Sequence, residues 1–125
     1  MRVILILPIL LLAISAAANS KWEFVGRNDI NDIFYIDSNS YQKSGDSITY
    51  WAIRNYGERD KWGDLSSKNQ YTINCRTREV ITRYLITYDD RDSNGKITDS
   101  FASKSSWSPI APDTINWSIM KHVCK

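Results

Sequence analysis

Histidine occurs once in these 125 residues, as His122, and cysteine twice, as Cys75 and Cys124. That scarcity leaves no His/Cys cluster of the kind that holds zinc. The two cysteines lie far apart in the chain, so the closely spaced pair of a thiol–disulfide oxidoreductase is missing. The five glycines are scattered, and none opens a phosphate-cradling loop. Sixteen Lys and Arg stand against fourteen Asp and Glu, a formal charge of +2, with the two signs interspersed. A nucleic-acid partner needs a dense basic face, and a polybasic membrane patch needs the same clustering; neither is present. Cofactor chemistry finds no support in the residue pattern.

Long apolar runs are also missing except at the start. Met1-Arg2 is followed by a dozen mostly apolar residues, Val3–Ile14, broken by Pro8, and then by the small-residue patch Ser15–Ala18. The run falls short of the roughly 20 residues that a membrane-spanning helix requires. A positive start, a short apolar stretch and an A-x-A arrangement at Ala16 and Ala18 read as a secretory signal peptide over residues 1–18. Cleavage there leaves a single domain, 19–125, with no transmembrane segment. No cysteine stands at the cleavage point, so a bacterial lipid anchor is not expected, and the mature chain is placed in the periplasm or outside the cell. In that oxidising setting a Cys75–Cys124 disulfide is the default. It closes a loop of about 50 residues, worth roughly 4 kcal/mol in the chain-entropy model.

What the mature chain does contain is a series of strand-like segments. Lys21–Gly26 and Ile33–Asp37 are the first two, separated by the polar Arg27–Asp32. Ser38–Gly45 is a polar connection. Ser47–Tyr56 is the most strand-like stretch, with Ile48, Tyr50, Ala52 and Tyr56 on one side and Trp51 and Ile53 on the other. Both faces are apolar, so neither is expected to be fully wet. Gly57–Gly63 is a charged loop carrying Trp62. Ser66–Arg76 resumes the strand pattern, placing Tyr71, Ile73 and Cys75 on one face. In Arg78–Asp89, alternation groups Val80 with Tyr84, Ile86 and Tyr88, and sets Ile81 and Leu85 opposite. Asn94-Gly95 predicts a tight hairpin into Lys96–Ala102, with Ile97 and Phe101 sharing a face. After a loop held by Pro109 and Pro112, Asp113 or Thr114 caps a final helix. Its apolar stripe is Ile115, Ile119 and Val123, widened by Trp117, Met120 and Cys124.

Three patterns invite a chemical reading. Asp90–Gly95 matches the first half of a calcium loop, but position 12 is Phe101 where a bidentate glutamate belongs, so it reads as a solvated turn without metal. His122 has no nucleophile at a recognised spacing. Asp89 and Asp90, adjacent on a strand, point to opposite faces and make a poor acid–base pair. Catalytic residues are therefore not assigned. Trp62, flanked by Arg59 and Lys61 in a glycine-bounded loop, is the candidate binding anchor; the alternative is that it folds back on the sheet edge.

Several pieces in order along the mature chain resemble the surface-adhesin protein E-like family. They are Trp22-Glu23-Phe24-Val25-Gly26, Tyr35-Ile36-Asp37, Trp51, Asn55-Tyr56, Cys75, Arg83, Gly95, the run Trp107–Thr114, and Cys124. The resemblance implies an α+β, mainly β domain: one antiparallel sheet of about six strands, its concave face covered by a C-terminal helix that the disulfide tethers. It also implies a binding rather than catalytic role at a bacterial envelope or surface, with extracellular host proteins as partners. The absent lipid-attachment cysteine departs from the family pattern. So does Asp113, which stands where a glycine is expected.

Three functions follow in order. The first is a non-enzymatic module binding a protein, such as a host extracellular-matrix protein or a second copy of itself across the uncovered sheet face. The second is a periplasmic inhibitor of a secreted enzyme such as a lysozyme, acting through Gly57–Gly63. The third is a small hydrolase.

Overall fold

The computed structural model describes residues 3, 4 and 19–125. Apart from residues 3 and 4, the expected signal peptide lies outside the described residues. Among those described, no helix is long and apolar enough to cross a membrane.

Eight strands and one helix follow in order: β1 (Trp22–Arg27), β2 (Ile33–Asp37), β3 (Gln42–Ser44), β4 (Ser47–Asn55), β5 (Ser66–Asn74), β6 (Glu79–Tyr88), β7 (Ile97–Ala102), β8 (Ser108–Pro109) and α1 (Ile115–Val123). The sheet is antiparallel, in the order β1-β2-β4-β5-β6-β7. β3 pairs with β4 beyond the end of β2, and β8 pairs with β6 beyond the end of β7. The expected six strands are thus six lanes, two of them broken.

A serine splints each break. Between β2 and β3, the Trp51 amide donates to Ser40 Oγ at 2.9 Å. Between β7 and β8, Ser105 Oγ accepts from the Thr82 amide and donates to the Thr82 carbonyl, both at 3.1 Å. Each hydroxyl stands in for a missing backbone partner where its lane breaks.

Two bulges correct the expected strand faces. The β5–β6 register slips between Gln70 and Tyr71, where Tyr71 pairs with Thr82 but Gln70 with Tyr84. Val80 therefore belongs with the helix-side core, whereas Tyr84, Ile86 and Tyr88 lie on the opposite face with Ile81. A second slip between Thr87 and Tyr88 sets Ile97 against Tyr88 and Phe101 against Leu85, so Ile97 and Phe101 face opposite ways. Period-two counting fails once an extra residue enters a strand.

The core lies between the sheet and α1. Ile36, Ile48, Tyr50, Ala52 and Ile73 meet Ile110, Ile119, Met120 and Val123, with Val80 and Ile115 packed at the margin. α1 crosses β1 at Gly26, where any side chain would press on Ile115 Cδ1 at 3.0 Å. Thr114 is its N-cap, accepting from the Trp117 amide at 3.2 Å. Asp113 just before it has φ of 63°, the left-handed conformation that makes glycine the natural occupant and that aspartate tolerates.

Cys75, just past β5, is bonded to Cys124, the C-cap of α1. Their Cα atoms are 5.7 Å apart across a sequence separation of 49. Replacing both cysteines by serine is expected to lower stability by about 3–4 kcal/mol. Urea unfolding of the two forms measures it; equal midpoints would refute the role of the bond.

Tyr50 is fully buried and its hydroxyl has no hydrogen-bond partner among the described residues. Burial pushes its phenol well above the usual tyrosine range, with neighbouring Tyr71 and Tyr41 adding to the shift. Burial raises Tyr71 as well. The unfolded chain ionises these phenols near pH 10 while the folded one holds them neutral. Their stabilising contribution is therefore intact below about pH 10 and lost as pH rises beyond it. In an alkaline titration, ionisation of Tyr50 should coincide with loss of far-ultraviolet dichroism. Tyr50→Phe should move that midpoint upward, and an unchanged midpoint would contradict the assignment.

Candidate functional site

α1 covers only one end of its sheet face. At the other end the same face continues through Leu85 and Thr87 of β6 onto Phe101 and Asp99 of β7, which pair with them in register. The segment between β4 and β5 rises beside this surface and contributes Tyr56, Asp60, Trp62 and Asp64. Together they wall a groove of about 470 Å³.

Dense hydrogen bonding fixes the loop. Asp32, buried, takes the Arg54 guanidinium on Oδ2 at 2.6 and 2.7 Å and the Gly57 amide on Oδ1 at 2.8 Å. That one carboxylate sets where the loop leaves the sheet. Gly57 allows it: a Cβ there would lie 2.4 Å from the Ile30 carbonyl oxygen. Asp60 Oδ1 accepts from the amides of Trp62 and Asp64 at 3.0 and 2.9 Å, folding the tip into an Asx turn. Gly63 completes the tip at φ of 85°. At the far end Tyr56 N donates to Leu65 O, and Leu65 N to Tyr88 O. Asp64, 4% exposed, accepts from Thr98 Oγ at 2.6 Å, and Thr98 in turn meets Thr87 at 2.7 Å.

The three residues singled out from sequence fall together here with different roles. Trp62 is 75% exposed and forms part of the groove wall, so it does not fold back on the sheet edge. Lys61 Nζ sits 4.3 Å from the Trp62 ring centre, in cation–π contact. Arg59 donates to the carbonyls of Gly63 and Asp89 at 2.9 and 3.0 Å, bracing the loop against the next one. Leu85, Phe101 and Asp99 were not legible as site residues: the β5–β6 slip sets Leu85 on the face of Val80, the β6–β7 slip parts Phe101 from Ile97, and only the pairing of β6 with β7 brings Asp99 beside them. The signal that was available is the pair Asp60 and Asp64 flanking Trp62 in a glycine-bounded loop.

The Asp89–Lys96 turn is not the tight hairpin expected at Asn94-Gly95. It is a longer loop with positive φ at Asp92, Ser93 and Gly95, closed by Asp89 N to Lys96 O at 3.0 Å and Lys96 N to Asp89 Oδ1 at 2.7 Å. It bends onto the sheet face opposite α1, where Asp92 and Asn55 exchange two hydrogen bonds of 2.7 Å. Asp90 Oδ1 accepts from the Arg91 amide. Its carboxylates are thus engaged in shaping the loop. On the same opposite face Lys68 lies over the rings of Trp22 and Trp51, and Trp51 stacks on Tyr84 at 6.5 Å. His122 is exposed in the last turn of α1.

The family model described as surface-adhesin protein E matches residues 22–125. The chain belongs to the surface-adhesin protein E family. Its fold is similar to that of Haemophilus influenzae protein E: in crystal form II the identity is 18%, the TM-score 0.63, and 86% of this chain and 91% of that one are covered. The selenomethionine form gives 16% identity and a TM-score of 0.60, over 86% and 89% of the two chains. Protein E from non-typeable H. influenzae gives 16% and 0.53, over 81% and 74%. No curated protein matches the sequence. At this identity the likeness establishes the fold, and the side chains of the groove have to be read in this adhesin-family member itself.

Because Gly57 has no room for a side chain and Trp62 projects outward, substitutions at the two should differ sharply. Gly57→Ala is expected to cost about 2 kcal/mol or more, and Trp62→Ala about 0.5 kcal/mol or less. Denaturant midpoints compare them directly.

Proposed function

We propose that residues 19–125 form an exported, non-catalytic module that binds a protein at the bacterial envelope or an extracellular protein of a host. The groove and its loop are the docking site: Trp62 is the anchor, Lys61 supports its ring, and Arg59 holds the loop in place. One observation carries this reading. An exposed tryptophan is carried by a hydrogen-bonded loop beside Leu85 and Phe101, apolar side chains of β6 and β7 that α1 leaves uncovered. A large aromatic on a rigid support loses little side-chain freedom on binding, which is why such residues dominate interface energetics. Membership of an adhesin family supports the same reading.

Surface plasmon resonance against purified extracellular-matrix proteins tests it. The wild-type chain should bind at least one of them, and Trp62→Ala should weaken that binding by about thirtyfold, a loss of roughly 2 kcal/mol. Absence of any bound partner, or full affinity in the variant, would overturn the proposal. A lysozyme inhibition assay on the same samples separates it from an inhibitor acting through Gly57–Gly63.

A further inference from the structure

The walls of the groove also specify what kind of side chain enters it. Three of its lining residues, Asp60, Asp64 and Asp99, are acids, and among the described residues no lysine or arginine lines it. Tyr56, Trp62 and Phe101 supply aromatic rings beside them. Three cations close by are already placed: Arg54 on Asp32 and over the Tyr56 ring, Arg59 on two backbone carbonyls, and Lys61 over the Trp62 ring. Asp60 and Asp99 use Oδ1 to accept from backbone amides. Among the described residues Oδ2 of each has no hydrogen-bond partner, and so remains available to a ligand. Asp64 is buried and positioned by Thr98, adding negative charge at the base of the groove.

Among the described residues no three acids converge closely enough to hold a metal ion. The negative charge is instead spread along an aromatic-walled channel, which suits a delocalised, flat cation better than a point charge. We infer that the groove receives an arginine side chain of the protein partner, its guanidinium against the aromatic walls and its N–H groups directed to the carboxylates of Asp60 and Asp99. Arginine satisfies both demands at once, since its planar head stacks on rings and donates in its own plane. The inference rests on the proposed docking role of this groove and adds the chemistry of the partner.

The test uses two capped tripeptides, acetyl-Leu-Arg-Leu-amide and its citrulline counterpart, which keeps the shape and removes the charge. Titrated into residues 19–125 and followed by NMR, the arginine peptide should shift the Trp62 indole signal and the amides of Asp99 and Phe101. The citrulline peptide should bind about tenfold more weakly, as should the arginine peptide to Asp99→Asn. Asp99 is exposed, so that variant should fold normally. Equal binding of the two peptides, or shifts confined to other surfaces, would overturn the inference. If matrix-protein binding still depended on Trp62 in that case, the docking role would stand and only the arginine assignment would fall. Arginine-selective shifts at the groove, with matrix-protein binding indifferent to Trp62, would separate the two the other way.

Discussion

A nine-residue helix does not hold its shape in water; isolated helices shorter than about 12–15 residues are marginal even in favourable sequences. α1 exists because both of its ends are fastened to something else. At the N-terminus Thr114 caps the first turn and Ile115 lands on Gly26, the one place in β1 with no side chain to obstruct it. At the C-terminus Cys124 is bonded to Cys75 beside β5. These two points fix the line along which the helix crosses the sheet. That line also decides what stays uncovered. The core from Ile36 to Ile73 is sealed, while Leu85 and Phe101, farther along the same face, are left for the loop after β4 to flank.

The loop depends on the sheet as strictly as the helix does. Asp32 sits at the junction, because its carboxylate binds both Arg54 of β4 and the amide of Gly57. Arg54 also lies over the rings of Phe34 and Tyr56, so strand, loop root and groove wall share one guanidinium. An ion pair with one buried partner, as here with Asp32, adds little net stability over a well-packed apolar substitute, but it tolerates few alternative arrangements. Here its effect is positional: it sets the root of the loop that runs from Tyr56 to the tip carrying Trp62.

Much of this was legible in the chain. The disulfide, the C-terminal helix with its start at Asp113 or Thr114, and the long strands followed from residue type and spacing. What period-two reasoning missed shares one physical cause, an extra residue inside a strand. The slip at Arg83 separates Val80, on the helix side, from Tyr84 on the other, and the slip at Thr98 separates Ile97 from Phe101. Nothing local in those residues announces a bulge; it arises from how β6 fits both of its neighbours at once. The short strands β3 and β8 were missed for a related reason. Their residues are exposed and polar or proline-containing, and they pair only because longer strands run past them. The exposure of Trp62 was legible, since a large aromatic in a polar glycine-bounded loop stands out in sequence. Its companions Leu85 and Asp99 come from other strands, and only topology brings them to it.

The same distinction bears on how far family membership reaches. The features that α1 and the sheet require are a disulfide, small residues at crossings and alternating apolar faces, and these tolerate wide divergence, consistent with a shared fold at 18% identity. The groove is built differently. Its acids lie on the loop after β4 and on β7 at the sheet edge, outside the core that α1 shares with the sheet. Partner choice can therefore vary among proteins that keep this architecture. In this chain the proposed docking groove combines three aspartates with three aromatic rings, none of them part of the core under α1. Arginine fits it because one side chain can meet the rings with its face and the carboxylates with its edge.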